Sequence, residues 1–191
     1  MPGVEAHEFR VRRRFTEARA ARLERDNGIT LPADYRGFLI HIGDGVAGPH
    51  RGIFRFGWIE VFGANDPCIR LKRGLFGILS NPFPFTEPWN DLSGQPNPGD
   101  AEMSHEEPQL AAFERRYWML IDGGLPICHV GDGRRIWLVV TGPEAGYLWR
   151  DDRDTLGGFY PMVQGESKRV TFGEWYEAWL KSAVKKLGQL T

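Results

Sequence analysis

The stretch LPICHVGDGRRIWLVVTGPEAGYLWR, Leu125 to Arg150, decides the fold. Leu125 to Val130 reads as a strand, Gly131-Asp132-Gly133 as a tight turn, and Ile136 to Val140 as a second, strongly apolar strand. Gly142-Pro143-Glu144-Ala145-Gly146 turns the chain into a third strand, Tyr147 to Arg150. Segments this short, separated by turns this short, pair as antiparallel neighbours. The centre of the fold is an antiparallel meander.

Helices are expected on both sides of it in sequence. Downstream, Thr171 is an N-cap and Glu174, three residues on, completes a capping box. The helix that follows carries Phe172, Trp175, Tyr176, Trp179, Leu180, Ala183 and Leu187 on one face, with Lys181, Lys185 and Lys186 near its negative end. Upstream, Val11, Phe15 and Ala18, with Ala20 and Leu23 on a neighbouring stripe, predict a helix from about Ala6 to Asn27, stopped by Gly28. Pro32 opens a second, short helix that buries Tyr35, Phe38, Leu39 and Ile42 and ends at Gly43. The run from Gly43 to Gly52 is a glycine-rich loop, and Ile53 to Gly63 a strand region bent at Gly57. From Asn65 to Pro108, five prolines (Pro82, Pro84, Pro88, Pro96 and Pro98) break any long element, while Phe83, Phe85 and Trp89 are too apolar for a solvated linker. That region reads as a long ordered loop packed through its aromatics, most mobile between Gly94 and Met103, and followed by a short helix over Gln109 to Trp118. The fold class expected is α+β, a single domain over residues 1–191.

Composition excludes several functions. The 191 residues include 12 Phe, 7 Trp, 5 Tyr and 24 Gly, which suits a sheet with many turns. A net charge of −1 gives no overall field for nucleic acid or an anionic membrane. Locally, Arg10, Arg12, Arg13, Arg14, Arg19, Arg22 and Arg25 interleave with Glu5, Glu8, Glu17, Glu24 and Asp26. This reads as a solvated, charge-compensated helix face, with a phosphate- or acid-binding patch as the alternative. Cys68 and Cys128 lack metal or disulfide spacing, and neither an apolar leader nor a membrane-length apolar run is present. A cytoplasmic protein is expected.

No assembled catalytic site emerges. Cys128 and His129 are neighbours on a strand, so their side chains leave opposite faces. No serine sits in a nucleophile elbow, and the five histidines show no ligand-like grouping. Asp151-Asp152-Arg153-Asp154 lacks the alternation and distal Glu of a calcium loop, and reads as a solvated turn. Gly43-Asp44-Gly45 and Gly131-Asp132-Gly133 lack dinucleotide or P-loop spacing, and an Asp there repels phosphate. Neither a cofactor nor a metal is expected. The glycine-rich loop with Arg51, and the strand end from Trp149 to Arg153, form either a polar surface rimmed by aromatics or, with Trp149 in the core, ordinary loop closures.

Several segments together resemble the SUKH superfamily. They begin with Leu31-Pro32, Asp34-Tyr35-Arg36 and Phe38-Leu39 running into the 43–52 loop, then Pro82-Phe83-Pro84-Phe85-Thr86 and Trp89-Asn90. They continue through Leu125-Pro126-Ile127, Gly131-Asp132-Gly133, Val139 to Pro143, Gly146, Trp149, Asp151-Asp152-Arg153, and Phe172 with Trp175 and Trp179. The resemblance spans nearly the whole chain. It implies a central, mainly antiparallel sheet flanked by helices and a non-enzymatic role in binding other proteins. Bacterial members often neutralise a toxin of nuclease or deaminase type, and fungal members regulate cell-wall synthesis, which leaves a regulatory scaffold in cell-envelope control as the alternative; a small-ligand-binding role through the glycine-rich loop is the other. The partner-binding surface it implies is Asp44, Gly45, Arg51, Asp132, Trp149, Asp151, Asp152 and Arg153. An acidic loop facing a basic toxin would be one way to use it.

Overall fold

The structure, a computed structural model, describes residues 11–63, 66–73, 76–95, 108–165 and 168–188. Its centre is a four-stranded antiparallel sheet in the order β3-β4-β5-β6: β3 Gly124–Gly131, β4 Arg134–Val139, β5 Leu148–Asp151 and β6 Phe159–Pro161. The first three are the meander, with Trp137 opposite Trp149 across the β4–β5 ladder. β6 has no counterpart in the sequence reading, because three residues beside Gly157-Gly158 carry too little pattern.

Alternation along the strands buries both faces. Ile136, Leu138 and Leu148 join one core with Tyr35, Phe38, Leu39, Ala20 and Phe172 from the helices. Trp137, Val139, Trp149 and Phe159 join a second core, roofed by Phe83, Ile121, Phe85 and Trp89. A fully buried side chain of this size contributes about 1.5–3 kcal/mol, so both layers are needed. The fold is a single-domain α+β structure with helices α1 (Glu17–Asn27), α2 (Ala33–His41) and α4 (Phe172–Gly188) over one face, and α3 (Pro108–Tyr117) beside the other.

The helix ends obey local chemistry. The Thr16 hydroxyl accepts from the Arg19 N–H, and Gly28 closes α1 in the left-handed conformation at φ 63°. α1 therefore starts at Glu17, not near Ala6. Phe15 is turned into the core and its N–H donates to Leu39, which an earlier helix start would prevent; residues 6–10 of the expected helix lie outside the described residues. Arg36 on α2 bonds both Glu17 and Glu24, clamping α1 to α2. The capping box on α4 is present: Glu174 accepts from Thr171 N–H at 3.1 Å, and Thr171 accepts from Glu174 N–H at 3.3 Å. Asp34 on α2 accepts from Gly173 N–H at 2.7 Å, placing a carboxylate at the positive end of α4.

Three other expectations are corrected. Ile42 is exposed, since α2 ends at His41 and the last predicted apolar position has left the helix. On α4, Phe172 and Ala183 are buried, but Leu180, Val184 and Leu187 are exposed. The 65–108 region is not all loop: Asp66–Arg73 forms β2, antiparallel to β1 (Trp58–Gly63). Gly57, at φ 73°, makes the bend that starts β1. Residues 76–95 pack on the second core as an irregular segment, and most of the stretch from Gly94 to Met103 lies outside the described residues. A last short pair, β7 (Val163–Gln164) with β8 (Lys168–Arg169), leads into α4.

Candidate functional site

The acidic strand end is a bracket inside the protein. Asp151 ends β5, and a 3-10 turn over Arg153–Thr155 folds the Arg153 side chain back onto it. The guanidinium and carboxylate meet in a two-pronged pair, Nε to Oδ1 and Nη2 to Oδ2 both at 2.8 Å, with both side chains buried. The remaining Arg153 nitrogen, Nη1, donates to the carbonyls of Tyr117 at 2.9 Å and Met119 at 3.1 Å. Planar guanidinium geometry makes this possible where a lysine would not reach all four acceptors. Asp152 turns the other way, accepting from Arg150 Nε at 2.8 Å and from the Tyr160 hydroxyl at 2.7 Å. Burial, and then that bond to Asp152, raise the Tyr160 hydroxyl above its usual pKa.

The bracket fixes the 117–121 turn, and that turn carries apolar side chains outward. Trp118 is 44% exposed and Leu120 is 62% exposed, while Tyr117 and Ile121 on either side are wholly buried. Gly77 donates to the Ile121 carbonyl and Ile78 N–H to the Asp122 carboxylate, so a second segment is laced alongside. Its Ile78 is 60% exposed. The Arg153 guanidinium lies 6.0 Å from the Trp118 ring centre. The result is an apolar ledge of Trp118, Leu120 and Ile78 on a hydrogen-bonded base.

The eight residues expected at a partner surface are thus split. Trp149 is core, stacked on Phe159 with its Nε1 donating to Glu144. Asp151, Asp152 and Arg153 are buried in the pairs just described. Asp132 and Arg51 are exposed. Asp132 sits at φ 50° in the β3–β4 turn and bonds Arg134 at 2.9 Å, and the Arg51 N–H donates to the His129 carbonyl. Beside them, burial first and then the charges of Arg150 and Arg134 hold His50 below its usual pKa. Arg51, Asp132 and the 151–153 turn do lie at one end of the sheet. Asp44 and Gly45 do not join them.

Asp44 is buried at the other margin of the molecule, next to α1. Its carboxylate accepts from Phe56 N–H at 2.7 Å and from Arg19 at 3.3 Å, and lies 3.9 Å from the Arg55 guanidinium. Gly45, at φ 86°, lets the Arg55 and Arg12 stems close over it; a Cβ there would stand 2.8 Å from Arg55 Cγ. Asp44 also raises the pKa of the buried Tyr35 hydroxyl, after burial itself. Its expected role as a contact residue gives way to an internal one.

No family model, curated protein or solved structure matches the chain. Among the described residues no group of three or more His, Cys, Asp and Glu is placed to hold a metal ion, and no helix is long and apolar enough to cross a membrane. Cys128 is buried, its thiol against the Pro49 carbonyl at 3.3 Å. Sequence reading missed Trp118, Leu120 and Ile78. Leu120 and Ile78 stand beside the buried Ile121 and Leu79, so the local pattern looks like core on both sides.

Proposed function

We propose that this chain is a non-enzymatic protein-binding module of the immunity type, one that covers a toxin domain and blocks it. The order and spacing of motifs that resemble the SUKH superfamily support this reading, as does an α+β sheet flanked by helices. The observation that carries it is the ledge: Trp118, Leu120 and Ile78, outward-facing on a base fixed by the Asp151–Arg153 pair. Exposed apolar side chains on two backbone segments laced together, one of them Trp, are the composition of an interface anchor. A base that is already ordered lowers the entropy cost of docking. The acidic mode of binding is not kept, because Asp151 and Asp152 are buried in pairs and present no acidic face.

The test is a quantitative pull-down from native lysate with the tagged chain and with the double variant Trp118→Ser/Leu120→Ser. A dominant partner that is captured stoichiometrically, loses its nuclease or deaminase activity when bound, and is lost with the double variant supports the proposal. Equal capture by both baits removes the ledge. A bound partner that stays active, or a set of housekeeping proteins, replaces immunity with the regulatory-scaffold reading.

A further inference from the structure

A cleft of about 810 Å³ opens between α1 and the segment leading into β1. Its α1 wall carries Arg19, Arg22 and Asp26, and its opposite wall Arg55, Phe56, Trp58 and Phe76. The guanidiniums are held in place. Arg19 lies 3.8 Å from the Phe15 ring centre and bonds Asp44; Arg55 lies 4.8 Å from the Trp58 ring centre, with its Nε 3.9 Å from the same Asp44. Arg22 bonds Asp26 at the rim, at 3.3 Å. Three cations are set against two carboxylates, Asp26 and the buried Asp44, which leaves one net positive charge around the cleft in a chain whose net charge is −1.

We propose that this cleft binds a phosphorylated nucleoside. A guanidinium fork matches phosphate oxygens, and two forks aimed by one buried carboxylate need no reorganisation to receive them. The wall of Phe56, Trp58 and Phe76 gives a purine or pyrimidine a face to stack on. Asp26 supplies an acceptor for a sugar hydroxyl or a base amino group. The volume lies in the range of roughly 300–1,000 Å³ typical of small-ligand sites. A plain inorganic anion leaves the aromatic wall unused, and an uncharged aromatic leaves the arginines unused; a nucleotide uses both. The α1 arginines read from sequence as a compensated helix face are, at Arg19 and Arg22, one wall of a site. This inference does not depend on the protein-binding reading.

Isothermal titration of the full chain with ATP and GTP, with adenosine, and with pyrophosphate tests it. The nucleotides are expected to bind saturably, with adenosine and pyrophosphate each weaker by at least about tenfold. Arg22→Gln/Arg55→Gln is expected to weaken nucleotide binding by about tenfold or more, about one charged hydrogen bond. Trp58→Leu weakens ATP but leaves pyrophosphate unchanged. Arg22 is a rim residue, so the single variant Arg22→Gln folds as the parent does and keeps the test valid should the double variant misfold. Absence of saturable nucleotide binding at about 1 mM overturns the proposal, as does equal binding by the arginine variants. Binding of a dT oligonucleotide without binding of mononucleotides overturns it in favour of a strand.

Discussion

Replacing Arg153 by Met tests the bracket on which the ledge stands. Met fills much of the same volume but removes the charge and all four guanidinium hydrogen bonds. Asp151 is then left buried with one remaining donor, the Arg153 N–H at 3.2 Å, and the carbonyls of Tyr117 and Met119 lose their Nη1 partner. Breaking a buried pair from one side costs about 3–5 kcal/mol, because the surviving charge stays out of water. For a domain of this length that is a fall in melting temperature of about 6–20 °C. Total stability is on the order of 5–15 kcal/mol, so the variant still folds in mild conditions and can be measured. The double variant Asp151→Leu/Arg153→Met removes the stranded charge and is expected to recover part of the loss. The two orphaned carbonyls keep it below the parent by about 1–3 kcal/mol. Urea unfolding followed by tryptophan fluorescence gives both numbers, and hydrogen exchange locates the loosening at residues 117–123. A cost below about 1 kcal/mol for Arg153→Met would refute the reasoning, as would exchange rates at 117–123 that match the parent.

The remaining expectations concern single contacts. His50 is held below its usual pKa by burial, Arg150, Arg134 and His129, so the unfolded chain takes up its proton first as pH falls. Stability from this residue is intact above pH of about 6.5 and drains away below it; His50→Asn, which tolerates the φ of 52° there, should flatten the urea midpoint between pH of about 7.5 and 5. Glu17, lowered by Arg36, Asp91, lowered by Ser93, and Glu174, lowered by Lys168, lose their contribution only as pH falls through about 4.5, and do not mask that window. Gly133→Ala should cost about 2 kcal/mol or more by thermal unfolding, since φ is 71° and its Cβ would fall on the Asp154 carboxylate. Gly146→Ala, at φ 95° in open space, should cost about half as much, and adding Asp154→Ala to Gly133→Ala should close the difference. Asp44→Ala should lose about 2–3 kcal/mol in urea, because the Phe56 N–H and two guanidiniums lose their acceptor together.

The meander, the α2 helix and the capping box on α4 were legible because each is set by residues close in sequence. A turn such as Gly131-Asp132-Gly133 and a box such as Thr171 with Glu174 act over three or four positions. The start of α1 was not legible: Phe15 leaves the helix because the core beside Leu39 claims it, a contact across 24 residues. β2 was missed for a similar reason. In DPCIRLKR only Ile69-Arg70-Leu71-Lys72 alternates, a pattern too short to mark a strand until β1 lies alongside. At the site, sequence reading located the charged turn at Asp151 to Arg153 but misjudged its direction. Charged residues at a strand end ordinarily face water, and only the carbonyls of Tyr117 and Met119, more than thirty residues away in sequence, make burial of Arg153 worthwhile.

Asp44 and Asp151 solve the same problem at opposite margins of the fold. Each is a buried carboxylate that cannot stand alone, and each recruits arginine from another part of the chain or the next turn. A loop held this way has its backbone fixed by charge and geometry, so its neighbouring side chains need not be buried to be ordered. That frees Trp118 and Leu120 to point outward on one side, and leaves Arg55 and Trp58 lining open space on the other. The motif residues that look like a binding surface are then the fixtures, and the binding chemistry sits one bond further out. A substitution at Asp44 or Asp151 should accordingly lower stability and binding together, whereas substitutions at Trp118, Leu120, Arg22 or Trp58 should change binding at nearly constant stability. That separation distinguishes a held surface from a merely exposed one.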